Sequence, residues 1–301
     1  MRETMDEPVW QDSRQHGMSV IWSGAAAAAI LIAYAYVFYY EPLSERFSPY
    51  WNDKLIDILT LIPALAAGLL GTLLTLQFAR DEPPRRVWFI FTLGWWWWVA
   101  GEIGGFVYDA IYYLVDYPEL TFIDLCWLMG YFFFGLSLYY QVRLIYRTQE
   151  NGKTVSYLVL IGFGLALTFG LTELALKAGL GEGISWLALY IAVLYPVFDI
   201  TEGGAAVWLS FLFGRGVWGR PWWGLIAFAV ADSINIFFWI GGEKWLSEQT
   251  VILLDTFSNT VYVMGYLLTA IAFLSMYNVI RYGPRERKTR PIGGAPQGRQ
   301  G

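Results

Sequence analysis

FIDLCWLMGYFFFGLSLYYQVRLIYR, residues 122–147, is long and apolar enough to cross a bilayer, yet it carries Asp124 near one end. Positions three and seven further on lie on the same helical face, so Asp124, Trp127 and Tyr131 form one stripe of acid, indole and phenol. Asn259, Tyr262, Gly265 and Tyr266 repeat the spacing of Asp124, Trp127, Gly130 and Tyr131 near the other end of the chain. A membrane-length segment with a polar face, used twice, sets the terms for the rest.

Working outward, the 301 residues are 56% hydrophobic and only 15% charged, with a mean hydropathy of +0.44. Soluble domains carry about 25% charge, so helices in a membrane are expected instead of one globular core. The reading is an all-α, polytopic integral membrane helix bundle of about eight transmembrane helices. The spans are Ser19–Tyr40, Leu55–Phe78, Val87–Tyr108, Phe122–Tyr146, Val155–Leu176, Ser185–Phe213, Trp222–Gly241 and Val251–Ile280. Short connections make 3/4, 5/6 and 7/8 natural hairpins. Each first helix ends an apolar run on an acid (Glu102, Glu173, Asp232), and each second helix carries Gly130-Tyr131, Tyr195-Pro196 or Gly265-Tyr266. That pattern suggests a repeated hairpin, the 3/4 and 7/8 copies being the more alike.

Of the 20 basic residues, all but Arg46, Lys54, Lys177 and Lys244 fall in the tails or in the 2–3, 4–5 and 6–7 connections. The positive-inside rule then places both termini in the cytoplasm of a cell-membrane protein. Residues 1–18 read as a cytoplasmic tail, since they are too polar for a cleavable signal, and 19–282 as the membrane domain. Residues 283–301, rich in Pro, Gly and basic side chains, read as a disordered cytoplasmic tail. The bilayer is the expected partner, and nothing points to nucleic acid.

Glu102, Glu173, Asp199, Glu202 and Asp232 lie within the spans, and Asp109, Asp124 and Asp255 near their ends. An ionised carboxylate at mid-bilayer costs about 2.5–3.5 kcal/mol, so these groups need a proton, a donor, a cation or water. Lys177 follows Glu173 by one turn and is its natural partner. Counting about 1.5 Å per residue from Val87 puts Glu102 roughly 22 Å into a ~30 Å core, toward the outer side. Trp95, Trp98 and Glu102 share a face of span 3; Tyr195, Asp199 and Glu202 share one of span 6. Asp255, Asn259, Tyr262 and Tyr266 share one of span 8. The candidate ligand-binding set is therefore Glu102, Asp232, Asp199, Glu202, Tyr131, Tyr195, Trp98, Asp124, Asn259 and Tyr266, around an outward-opening pocket.

The stretches TFIDLCWLMGYFFFGLSLYY, YIAVLYPVFDI, WGLIAFAVADSINIFF and LDTFSNTVYVMGYLL resemble the multi-span N-terminal sensor regions of bacterial signalling proteins. Such regions precede diguanylate cyclase, phosphodiesterase or histidine kinase domains. The matching positions are Asp124, Gly130 and Tyr131, then Tyr195, Pro196 and Asp199, then Asp232, with Trp127 where that pattern has Tyr. The resemblance implies a sensor whose output comes from a separate cytoplasmic partner, since no output domain follows span 8. AFAVADSINIFF and the span count also resemble lysoplasmalogenase-like proteins, which implies membrane aspartates acting on a lipid. Retinal requires a mid-membrane lysine, and Lys54, Lys177 and Lys244 all sit at span ends. With His16 the lone histidine, a bis-histidine haem is excluded within one chain. Cys126 stands alone, which removes cysteine metal sites. The leading expectation is a receptor-like protein, not an enzyme, for a small molecule or cation. The alternatives are a proton- or cation-coupled transporter and a lipid hydrolase with Glu102 and Asp232 as its acid/base pair.

Overall fold

The computed structural model describes residues 10–44, 46–112, 118–145, 150–177, 185–213, 216–239 and 242–282. Among them are eight α-helices and no strand: α1 Trp10–Tyr40, α2 Pro49–Thr75, α3 Pro83–Ile111, α4 Phe122–Ile145, α5 Glu150–Lys177, α6 Trp186–Phe213, α7 Trp223–Trp239 and α8 Glu248–Tyr282. All but α3 and α5 contribute a segment long and apolar enough to cross a membrane, which makes this a multi-pass membrane protein. The exterior agrees, since Ile32, Phe169 and Phe211 are each more than two-thirds exposed. Apolar side chains at that exposure fit lipid as solvent.

The chain starts α2 and α3 where it should. Pro49 and Pro83 occupy the first turn, where a missing N–H costs nothing, behind extended Ser48 and Glu82. Helix α1 starts earlier than expected, at Trp10, so it extends into the segment read as an N-terminal tail. The segment read as the C-terminal tail, 283–301, lies outside the described residues.

Helices α2, α3, α4, α6, α7 and α8 form a closed ring, each packed on the next and α8 on α2. Helix α1 packs outside on α8 and α2, and α5 outside on α6. Tyr195 contacts Asp124 and Tyr131 contacts Asp199, so residue numbers rise together and α4 runs parallel to α6. The ring is filled mostly from α3. Trp88, Phe91, Trp95 and Trp98 are all buried and project at helical spacing into the centre. They meet Phe134 of α4, Phe228 of α7 and Tyr266 and Phe273 of α8. Edge contacts such as Trp98 on Phe228, 4.6 Å between centroids, are favoured by the ring quadrupoles.

Two hairpins cross in the same way. In α3/α4, a Cβ on Gly94 would strike Phe134 and come within 3.1 Å of the Gly130 carbonyl, and a Cβ on Gly130 would enter the Trp98 ring. In α7/α8, a Cβ on Gly224 would strike Thr269 and come within 2.8 Å of the Gly265 carbonyl, and one on Gly265 would lie 2.7 Å from the Phe228 ring. Gly94, Trp98 and Glu102 thus correspond to Gly224, Phe228 and Asp232, at identical spacing. Small residues at a crossing let membrane helices approach closely, which is what both crossings require.

Candidate functional site

One end of the ring, here the pocket end, carries the α3–α4 and α7–α8 connections and the start of α6. A cavity of about 390 Å³ opens there between α4, α6 and α7. Its wall includes Asp124, Tyr195, Asp232 and Asn235, with Ala188, Ile191, Ala192 and Ile236 as apolar lining. Asp124 is fixed by its position in the first turn of α4. Its Oδ2 accepts the Thr121 N–H at 2.7 Å and hydroxyl at 3.1 Å, and its Oδ1 accepts the Tyr195 hydroxyl at 2.7 Å.

Asp232 accepts the Asn235 amide at 3.1 Å, and the Asp199 carboxyl is a near neighbour behind it. Asp199, buried, also accepts the Tyr131 hydroxyl at 2.7 Å. Two phenols therefore cross-link α4 and α6 in opposite senses, Tyr195 to Asp124 and Tyr131 to Asp199.

Glu102 forms a second cluster across α3 and α8. Its Oε1 accepts the Tyr266 hydroxyl at 2.6 Å and the Tyr262 hydroxyl at 3.2 Å. Loss of the shorter bond in Tyr266→Phe should cost about 0.6–1.7 kcal/mol, the range measured for hydrogen bonds between membrane helices. A double-mutant cycle with Glu102→Ala, which removes the acceptor, read by denaturant unfolding in detergent, should return that coupling; no coupling would mean the bond carries no stability.

The ten candidate residues therefore divide. Asp124, Tyr195 and Asp232 line the cavity, with Asp199 and Tyr131 directly behind. Glu102 and Tyr266 form their own cluster. Trp98 is core packing, its indole N–H directed to the Trp127 carbonyl at 3.3 Å. Asn259 turns to Asp255 at 2.9 Å, apart from Tyr262 and Tyr266. Glu202 is buried against Gly135 of α4, and its Oε2 has no hydrogen-bond partner among the described residues. Glu173 pairs with Lys177 at 2.7 Å on an exposed surface, as the spacing predicts.

Two polar positions with partners in the structure escaped the sequence reading. Asn235 lies on the cavity wall, and its three-residue spacing from Asp232 was a visible signal. Asp57 pairs with Lys54 at the same spacing, 2.7 Å apart.

Searches against protein-family models, curated proteins and solved structures return no match to this chain. The site must therefore speak through its own chemistry.

Proposed function

We propose that this protein is a receptor-like membrane sensor whose pocket-end cavity takes a small molecule or cation. The observation that carries this reading is the one-sided placement of acidic and basic side chains in the ring. The acidic and basic side chains buried among the described residues are Lys54, Asp199 and Glu202. Beyond Glu202 the ring centre is occupied by Trp88, Phe91, Trp222, Phe273 and Met276, all essentially inaccessible. A ligand can enter from the pocket end and meets a tightly packed aromatic plug, an arrangement suited to reporting occupancy.

In this reading the chain crosses the membrane eight times, with α3 and α5 as the remaining spans. Packing of α3 between α2 and α4 supports its crossing. Its Trp run, arginines and Glu102 lower its hydropathy although Trp95 and Trp98 are buried. The matching glycine crossings of α3/α4 and α7/α8 support a duplicated hairpin. The distribution of basic residues supports cytoplasmic termini, a pocket open to the outside and a cell-membrane location. The resemblance to sensor regions of bacterial signalling proteins supports a separate cytoplasmic partner that carries the output.

The test is thermal unfolding of the purified protein against a broad panel of metabolites and cations. A true ligand at about 100 times its Kd stabilises by about 2.7 kcal/mol. That shift is expected to vanish in Asp232→Asn and Tyr195→Phe, and a panel without any shift would overturn the sensor reading. Buried Asp199 and Glu202, beside Asp232 on the cavity wall, favour a second reading, proton- or cation-coupled transport. Ion-driven flux in liposomes, abolished by Asp232→Asn, is the result that would replace the first reading with the second.

A further inference from the structure

We propose that the cavity's ligand is a primary ammonium carried on an aliphatic body. The inference rests on the sensor reading and specifies what that sensor holds. Its basis is the direction of the hydrogen bonds around the cavity wall. The Tyr195 hydroxyl proton is committed to Asp124 at 2.7 Å, and the Asn235 amide donates to Asp232 at 3.1 Å. Glu119, also on the wall, accepts the Ser185 N–H at 3.1 Å. The Asn235 oxygen faces the Ser258 hydroxyl at 3.1 Å and one of its two N–H groups stays uncommitted, so the wall's acceptors are the carboxylates of Asp124, Asp232 and Glu119, which outnumber that single donor.

Pro196 adds one more acceptor. It lies inside α6 and has no N–H, so the carbonyl four residues back, on Ala192, loses its helical partner. Both Pro196 and Ala192 line the cavity. An ammonium, with three donors and no acceptor, complements such a wall. Among the described residues neither lysine nor arginine lines the cavity, so an anion finds no counter-charge on them.

The remaining wall chooses between an inorganic ion and an organic amine. Leu120, Ala188, Ile191 and Ile236 are apolar and offer nothing to a hydrated ion. No group of three or more His, Cys, Asp or Glu side chains among the described residues is placed to hold a metal. The volume, about 390 Å³, falls within the roughly 300–1,000 Å³ of small-molecule pockets. Carboxylates Asp124 and Asp232 seat the charged head, the Tyr195 ring face adds a cation–π contact, and the apolar lining covers the chain. The same head group occurs on free alkylamines and on lipids with an ethanolamine headgroup.

Hexylamine, hexanol and hexanoate, titrated into the purified full-length protein by calorimetry and thermal unfolding, test the assignment. Hexylamine should bind at least about tenfold more tightly than hexanol, the worth of a charge-assisted hydrogen bond, and hexanoate more weakly still. Asp232→Asn should weaken hexylamine by about tenfold or more and leave hexanol unchanged. Ile191→Trp, which fills the cavity and leaves every carboxylate in place, should abolish hexylamine binding even if Asp232→Asn fails to fold. Weaker hexylamine binding in phosphatidylethanolamine nanodiscs than in phosphatidylcholine ones marks a lipid source for the amine; equal binding marks a soluble one. Hexanol or hexanoate binding as well as hexylamine, sensitive to Ile191→Trp, overturns the ammonium assignment and keeps the pocket. Failure of all three probes together with the wider panel overturns the pocket itself.

Discussion

Gly130→Ala is expected to destabilise the protein by about 3 kcal/mol, the upper end of the range for overpacking a core. The added methyl would enter the Trp98 indole, which has no room to retreat. Trp98 is 1% exposed and boxed by Phe134, Tyr131 and Phe228, with ring centroids 5.3, 5.3 and 4.6 Å away. Gly105→Ala on α3 is the control, because its Cβ meets nothing within 4 Å. That change should be neutral or stabilise by up to about 1 kcal/mol through helix propensity. Trp98→Ala alone should cost about 3–5 kcal/mol for the lost indole and its cavity. The double variant should cost less than the sum, since the clash leaves with the ring, by a coupling of about 0.5–3 kcal/mol. Denaturant unfolding in detergent measures all four proteins. Strict additivity would mean that the glycine and the indole are not in contact.

The helices were legible because apolar runs of membrane length, separated by basic connections, leave few other structures open. Their pairing was legible only in part. Hairpins follow from short loops, but nothing in the spacing says that α5 stands outside the ring while α4 packs on α6. The Tyr131–Asp199 and Tyr195–Asp124 bonds join residues 68 and 71 positions apart, so each half was visible and the partner was not. The same holds for Glu102, whose place within an apolar run was visible but whose phenol donors come from α8, 160 and 164 positions away. The tryptophan run was ambiguous for a different reason. Four successive indoles cover every side of a helix, and only the ring's closure decides that Trp95 and Trp98 face inward. Asn259 shows the converse limit: it shares a face with Tyr262 and Tyr266, yet Asp255, one turn away, satisfies it first.

Lys54→Met is expected to cost about 3 kcal/mol or more, and Lys54→Met with Asp57→Leu to return to within about 1 kcal/mol of wild type. The Lys54 ammonium is 6% exposed and donates to Asp57 at 2.7 Å and to the Phe106 carbonyl at 2.8 Å. Asp109 stands 3.9 Å away but is 37% exposed, so solvent screening leaves it a minor partner. Removing the lysine alone strands the Asp57 carboxylate, 20% exposed, at the α2–α3 contact with its counter-charge gone. Removing both charges takes away the attraction and the desolvation penalty together, which is why a buried pair is costly to break and cheap to replace. Because the pair is largely shielded from solvent, added salt should change the single variant's deficit little. The ammonium also lies 4.5 Å from the centroid of the Phe106 ring, which supplies the rival explanation. If the single and double variants lose equal stability, Lys54 acts through its aliphatic stem and the Phe106 ring, and the charge pair is incidental.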